Sequence, residues 1–435
     1  MKNNEAIEPE DCGCNEYNEL SRRQFVGAAA SLGVLGAFPA WLPKVVLAES
    51  YASTRDVIVS IFLRGGADGL SLCVPFGDAN YYTSRSTIAI PRPDSTQTAT
   101  KGIALDNFFA FPQAMSALMP AYNAQDLLVV HATGQFNNSR SHFDAQRYLE
   151  VGKPNDVTLA SGWLGRHLAS VPPLRTAAPL RALGLASGLQ KTLVGGPKTL
   201  PIADPSNYTI GGSAATSDAR LNVLKGDYSA LSPEPAMSAA LDATNTMTLL
   251  KNVNITGYAP ANAAVYPTSS FGRALRSVAA LIKADIGIEA AQVDIGGWDT
   301  HSAQNPLTGS MFNTMKDFSN SLAAFYADVM SIGAFPVTLV AVSEFGRNVK
   351  ENGSNGTDHG RGTAMFAMGK GITGGRVLVN QWPGLATAQL DSGQDLKVTI
   401  DYRDILAEIV TKRLGNTNTD FVFPGWAVTT RGVTR

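Results

Sequence analysis

The sequence predicts an α/β fold, a mostly parallel central sheet flanked by helices, on three observations. Short apolar runs rich in β-branched residues recur along the chain, segments with apolar residues at helical spacing alternate with them, and the runs end in polar, glycine-containing loops. Runs without polar alternation suit strands covered on both faces, as in parallel sheets packed between helices.

The first strand, Asp56-Val57-Ile58-Val59-Ser60-Ile61-Phe62-Leu63, ends in Arg64-Gly65-Gly66-Ala67-Asp68-Gly69, where glycine permits a tight turn. A helix over 111–123 precedes a second strand, Asp126-Leu127-Leu128-Val129-Val130-His131. Between 205 and 267 the sequence turns Ala-, Asn- and Ser-rich with weak periodicity, which marks a helical insertion. An amphipathic helix over 270–284, a short strand over 291–295 and a long helix over 311–332 follow. Pro336-Val337-Thr338-Leu339-Val340-Ala341-Val342 is the most apolar strand, Arg376-Val377-Leu378 adds a strand or hairpin, and 402–414 is a last amphipathic helix. No linker composition interrupts 49–435, so that stretch reads as one elaborated domain.

Residues 1–48 read differently. Ser21-Arg22-Arg23-Gln24-Phe25-Val26 precedes a moderately apolar, glycine-rich stretch broken by Pro39, which has the order of a twin-arginine export signal and is too short and too glycine-rich for a stable membrane anchor. Val46-Leu47-Ala48 offers the small residues a signal peptidase accepts, so cleavage is expected after Ala48. The expectations are a partnership with the twin-arginine export machinery and a periplasmic or secreted location. Cys12 and Cys14 fall in the leader, which leaves Cys73 alone among three cysteines and excludes an intrachain disulfide after cleavage. With 35 basic against 36 acidic residues in 435, and no basic block after the leader, nothing attracts a polyanion, so no nucleic acid is expected as a partner.

Ligands of open α/β sheets bind at the carboxyl ends of the strands. The polar residues collect there: Asp68 after the first strand, His131 and then Asn137-Asn138-Ser139-Arg140-Ser141-His142-Phe143-Asp144 after the second, and Gly296-Gly297-Trp298-Asp299-Thr300-His301 after the third. Ser343-Glu344-Phe345-Gly346-Arg347 follows the most apolar strand, and Thr357-Asp358-His359-Gly360-Arg361-Gly362 completes the set. Four of the five histidines lie in these segments, His167 being the exception, and carboxylates with neutral imidazoles are what zinc or manganese prefers. Each pair alone is also an ordinary self-bonded loop; together they point to a metal centre. Ser141, three residues before Asp144, fits a helix cap. Ser139 fits a nucleophile toward phosphate or sulfate, with Arg140 holding the anion. Glu344 either coordinates a metal or pairs with Arg347, since a carboxylate after so apolar a strand needs a partner. No dinucleotide fingerprint, phosphate-binding loop or Gly-x-Ser-x-Gly elbow occurs.

The leader together with Phe62-Leu63-Arg64-Gly65-Gly66-Ala67-Asp68-Gly69-Leu70, Arg140-Ser141-His142-Phe143-Asp144-Ala145-Gln146, Gly297-Trp298-Asp299-Thr300-His301, Ser343-Glu344-Phe345-Gly346-Arg347 and Asp358-His359-Gly360 resembles the bacterial twin-arginine-exported proteins grouped as the domain-of-unknown-function 1501 family, over nearly the whole chain. Such proteins are distantly similar to the alkaline phosphatase and sulfatase superfamily, which implies an alkaline-phosphatase-like sheet with a two-metal site at the strand ends. By that resemblance Asp68, Asp299, His301, Glu344, Asp358 and His359 hold one or two divalent ions, whether zinc, manganese or calcium. Asn138-Ser139 with His142 is similar to the nucleophile loop of cofactor-independent phosphoglycerate mutases, which with Arg140 makes Ser139, Arg140 and His142 the expected catalytic residues, and Tyr402-Arg403-Asp404-Ile405-Leu406 is similar to the C-terminal Asp-containing helix of sulfatases. Phe345 departs from the pattern, standing where a metal histidine is usual. The implied function is an exported metal-dependent hydrolase of small anionic phosphate or sulfate esters. The alternative is an exported non-catalytic protein on the same scaffold, binding a metal or an envelope component.

Overall fold

The structure, a computed structural model, describes residues 55–231, 234–331, 333 and 335–435. The expected leader, residues 1–48 with Cys12 and Cys14, lies outside the described residues. Strand β1 (Val57–Leu63) runs through the middle of the main sheet. Its Val57, Val59, Ile61 and Leu63 enter one apolar cluster while Ile58 and Phe62 enter another, so both faces are covered and the run is apolar except for the buried Ser60. The other strands of this sheet are β2 (Leu127–Gly134), β3 (Ala182–Gly184), β4 (Thr199–Pro201), β5 (Ala290–Ile295), β6 (Val337–Val342), β7 (Thr363–Met368), β8 (Arg376–Leu378) and β9 (Ile400–Asp401).

Their order is β8-β2-β7-β6-β1-β5-β3-β4, with β9 paired to the end of β2. Every pairing is parallel except those of β7, which runs antiparallel to β2 and β6. The mostly parallel sheet expected from the sequence is present, with β7 as an unanticipated member. His131 was expected to close the second strand; instead the strand continues to Gly134, with a register shift between His131 and Thr133.

Helices cover both faces. The helix His142–Val151 (α1) opens at Ser141, and Ser217–Ala230 (α2) and Pro235–Lys251 (α3) lie within the expected insertion. Ser270–Lys283 (α4) and Ser310–Phe325 (α5) pack Leu275, Val278, Phe318 and Leu322 on one face of the sheet. Tyr402–Lys412 (α6) packs Ile405, Leu406 and Ile409 on the other. Truncating one such residue, for example Ile405→Ala, costs about 2–5 kcal/mol by lost transfer energy and the cavity left behind. The expected 311–332 helix starts as α5 and continues as a π-helical turn, Tyr326–Met330. Among the described residues no helix is long and apolar enough to cross a membrane.

This topology sets the site. Strands β6, β1 and β5 are adjacent and parallel, so the loops after Leu63, Ile295 and Val342 leave the sheet side by side. Strand β2 runs the same way and delivers the 135–142 loop to that edge, while reversed β7 brings its entry loop, 358–362, to it.

Candidate metal centre

Four side chains meet at this edge: His142, Asp299, His301 and His359. Asp299 follows β5 through Gly296-Gly297-Trp298, and the buried Trp298 indole anchors the loop by donating to the Ile295 carbonyl at 3.1 Å. The β1 loop lies directly against it: a Cβ on Gly65, at φ 120°, would come 2.7 Å from the Asp299 amide nitrogen, so the approach requires glycine. His142 is the first residue of α1, whose N-cap is Ser141, with Oγ accepting from the Asp144 amide at a long 3.5 Å.

Each of the three imidazoles has Nδ1 tied to an oxygen. His142 Nδ1 bonds Glu344 Oε1 at 2.8 Å, His301 Nδ1 bonds Asp358 Oδ1 at 2.9 Å, and His359 Nδ1 bonds the Arg140 carbonyl at 2.8 Å. A carbonyl or carboxylate oxygen can only accept, so each Nδ1 carries hydrogen and each neutral ring keeps its lone pair on Nε2. Those Nε2 atoms turn toward Asp299. His301 and His359 Nε2 lie 3.0 and 3.1 Å from Asp299 Oδ1 and 2.9 Å from one another. His142 Nε2 lies 3.4 Å from Asp299 Oδ2 and is buried without a hydrogen-bond partner.

Lone pairs packed this closely repel unless a proton or a metal cation stands among them. Zinc–nitrogen bonds of about 2.0–2.1 Å put neighbouring ligand atoms about 2.9 Å apart in an octahedral arrangement and about 3.3 Å apart in a tetrahedral one. The observed 2.9–3.4 Å separations fall in that range. The donor set therefore fits a divalent ion, and His142, Asp299 and His359 form a group able to hold one, with His301 against two of them. Exposure of Asp299 (46%) and His301 (45%) leaves the group open to solvent.

The surrounding charges keep the group in place. Burial would lower the His142 pKa, but Asp299 and Glu344 outweigh it and push it up to about 9. Burial likewise opposes ionisation of Asp299, yet His142, His359 and Arg347 hold its carboxyl well below the usual carboxylate range. Arg347 is buried and donates to the carbonyls of Gly65, Gly66, Thr357 and Trp298 and, at 2.5 Å, to Asp299 Oδ1. One guanidinium thus ties together the loops after β1, β5 and β6.

The sequence-derived residues divide accordingly. Asp299, His301 and His359 are brought together, and His142, expected as catalytic, joins them. Glu344 and Asp358, expected as ligands, instead hold imidazole Nδ1 atoms. The Glu344 carboxylate is buried and also accepts from Gln146, the Gly65 amide and Ser343, so the sequence-level pairing with Arg347 is replaced by these bonds. Asp68 is a correction. At 1% exposure it is bound on both oxygens by buried Arg85 and also accepts from Ser71 and Gln304, so its carboxylate is spent on a buried ion pair. Arg140 contributes its carbonyl, and its guanidinium pairs with Asp395 at 2.6 Å rather than standing ready for an anion. Ser139 Oγ accepts from the Ser141 amide at 3.2 Å and lies 3.5 Å from Asp144. Asp404 pairs with Arg431 away from the group. His131 is buried among Phe109 and Trp382, and His167 is buried against Asn416.

Two contributors had only faint signals in the sequence. Gln146 lies four residues after His142, on the same helix face. Phe345 packs its ring 4.9 Å from His142 and 4.8 Å from His359.

Fold and site together define an α/β protein with a three-imidazole, one-carboxylate group at its strand ends. The chain belongs to the DUF1501 family, described as protein of unknown function, whose family model matches residues 55–420. Among solved structures it is similar to the TAB5 alkaline phosphatase, a mutant with Mg bound in its M3 site, at 13% identity over 72% of this chain and 92% of that one, with a TM-score of 0.27. No curated protein sequence matches the chain.

Proposed function

We propose that the chain is an exported hydrolase of phosphate or sulfate esters that depends on one divalent ion held by His142, Asp299, His301 and His359. The convergence of three Nδ1-anchored imidazoles on one solvent-facing carboxylate carries this reading. Imidazole-rich sets suit zinc or manganese, whereas calcium takes oxygen ligands, so zinc is the first ion to test. When bound, such an ion supplies a Lewis acid beside the ester oxygens.

The chain's own groups do the rest. Glu344, Asp358 and the Arg140 carbonyl fix the rings, Arg347 fixes Asp299, and the Phe345 ring keeps water from one side of His142 and His359. Ser139 Oγ or a water provides the attacking oxygen, and Asp144 lies within reach of the Ser139 proton. The second reading is an exported non-catalytic metal-binding protein. Phe345 at an expected histidine position and the engagement of Arg140 with Asp395 favour it.

Metal analysis of purified protein, followed by assays with aryl phosphate and aryl sulfate after zinc or manganese loading, separates the two. Turnover that vanishes on chelation supports the hydrolase, bound metal without turnover supports the binding protein, and no bound ion removes both. For export, the Arg22→Lys/Arg23→Lys variant is expected to accumulate as precursor inside the cell; undiminished mature protein in the periplasm would rule the signal out.

A further inference from the structure

A cavity of about 10 Å³ has Gln135, Ser139, Ala145, Glu344, Phe345 and Arg361 among its lining residues, with Asn137 and Gly360. It has room for roughly one water. Gln135, 5% exposed, donates through Nε2 to the Ala145 and Glu344 carbonyls at 2.7 and 2.9 Å, while its buried Oε1 has no partner. Arg361 pairs through Nη1 with Asp391, yet its buried Nε–H has no partner either. Of the lining residues, Gln135 thus lacks a donor and Arg361 an acceptor. An anion would oppose Gln135 Oε1 and a cation would oppose Arg361; an O–H group satisfies both.

We infer that this cavity binds a single O–H group, donating to Gln135 Oε1 and accepting from Arg361 Nε–H, which links the loop carrying His142 to the loop carrying His359. The inference stands on these two orphaned atoms and not on the proposed ion. Solvent water and an alcohol hydroxyl of a substrate share the required chemistry.

Crystals of the protein, grown with and without zinc and soaked with or without methanol, test it. One oxygen within about 3.2 Å of both atoms is expected. Methanol carbon density beside it identifies an alcohol subsite, and its absence a bound water. An empty cavity, or Gln135 Oε1 and Arg361 Nε bonded to chain atoms, overturns the inference. Ala145→Val fills the space without offering an O–H, so a lower melting temperature and about tenfold weaker zinc binding are expected. Ala145→Ser places a hydroxyl there and should retain both values. A raised melting temperature in Ala145→Val would mean that a dry void had been filled, and would also overturn it. Should that variant fail to fold, the wild-type density and Ala145→Ser decide. The oxygen present in a protein that binds no zinc refutes the metal reading alone.

Discussion

Replacing Glu344 by glutamine tests whether an imidazole is held for metal binding. Glutamine has the shape of glutamate, and its amide oxygen can still accept from His142 Nδ1 where Glu344 Oε1 now does at 2.8 Å; Ser343 can turn its hydroxyl to meet the new NH2. What disappears is the charge. A hydrogen bond to an ionised group contributes about 1.5–3 kcal/mol against about 0.5–1.5 for a neutral one, so the change removes about 1–1.5 kcal/mol from the orientation and basicity of His142. That corresponds to about tenfold weaker zinc binding, the lower end of the range for partners behind a metal ligand. Competition titration of metal-free protein with a chromophoric chelator measures it. His359→Ala should lose far more and His167→Ala nothing, because His167 is buried against Asn416 away from the group. Unchanged affinity in Glu344→Gln alongside loss in His359→Ala would refute the orienting role; equal affinity in all three would refute the site.

Zinc affinity should also fall as the solution is acidified below about pH 9, because the proton that His142 holds there must leave before its Nε2 can bind an ion, at up to about tenfold per pH unit from this group. A flat profile from pH 9 downward contradicts the placement of His142 among the ligands. Stability has a separate acid limb. Burial drives the His131 pKa down to about 4 from 6.5, so the unfolded chain takes up a proton in that window that the native state refuses. Stability should drop by about 3 kcal/mol from this residue as the pH falls from 6.5 to about 4, and no further below that. Urea unfolding of wild type and His131→Leu over this window gives the answer: the variant, though less stable throughout, should show the shallower loss, and parallel curves would dismiss the assignment.

How far the sequence was legible depends on what each residue's neighbours are. Strands β1, β2 and β6 announce themselves because burial on both faces demands largely apolar runs, β5 is the shorter and more polar Ala-Ala-Gln-Val-Asp-Ile, and the segments that follow these four strands carry every member of the metal group. Strand β7, Thr363-Ala364-Met365-Phe366-Ala367-Met368, was invisible because alanine and methionine are poor strand formers that hold this conformation here by pairing with β2 and β6. The same limit applies within the site. Residue type marks Glu344 and Asp358 as candidate ligands, but only the fold shows that each faces an Nδ1, and Arg140 acts through a backbone carbonyl that its identity does not encode. His131 was misplaced because a histidine at the edge of an apolar run looks the same from sequence whether the strand stops there or continues.

These differences bear on how many ions the chain can hold. The two-metal site expected from the sequence would need Asp68 and a histidine at position 345. Here the Asp68 carboxylate is neutralised by Arg85 with both oxygens occupied, and freeing it would leave a guanidinium at 0% exposure without a counter-charge, a cost of several kcal/mol. Phe345 offers no lone pair and fills its place with a ring packed on His142 and His359. Of the remaining carboxylates, Glu344 already accepts from His142, Gln146, the Gly65 amide and Ser343, and Asp358 holds His301 Nδ1 and the Asn352 side-chain amide. One zinc per chain is therefore the expected stoichiometry by native mass spectrometry at saturating metal, and Phe345→His alone should not raise it, because the Asp68 pair still stands. Two ions per wild-type chain would mean that the buried Asp68–Arg85 pair opens in solution, and the single-ion mechanism would have to be abandoned.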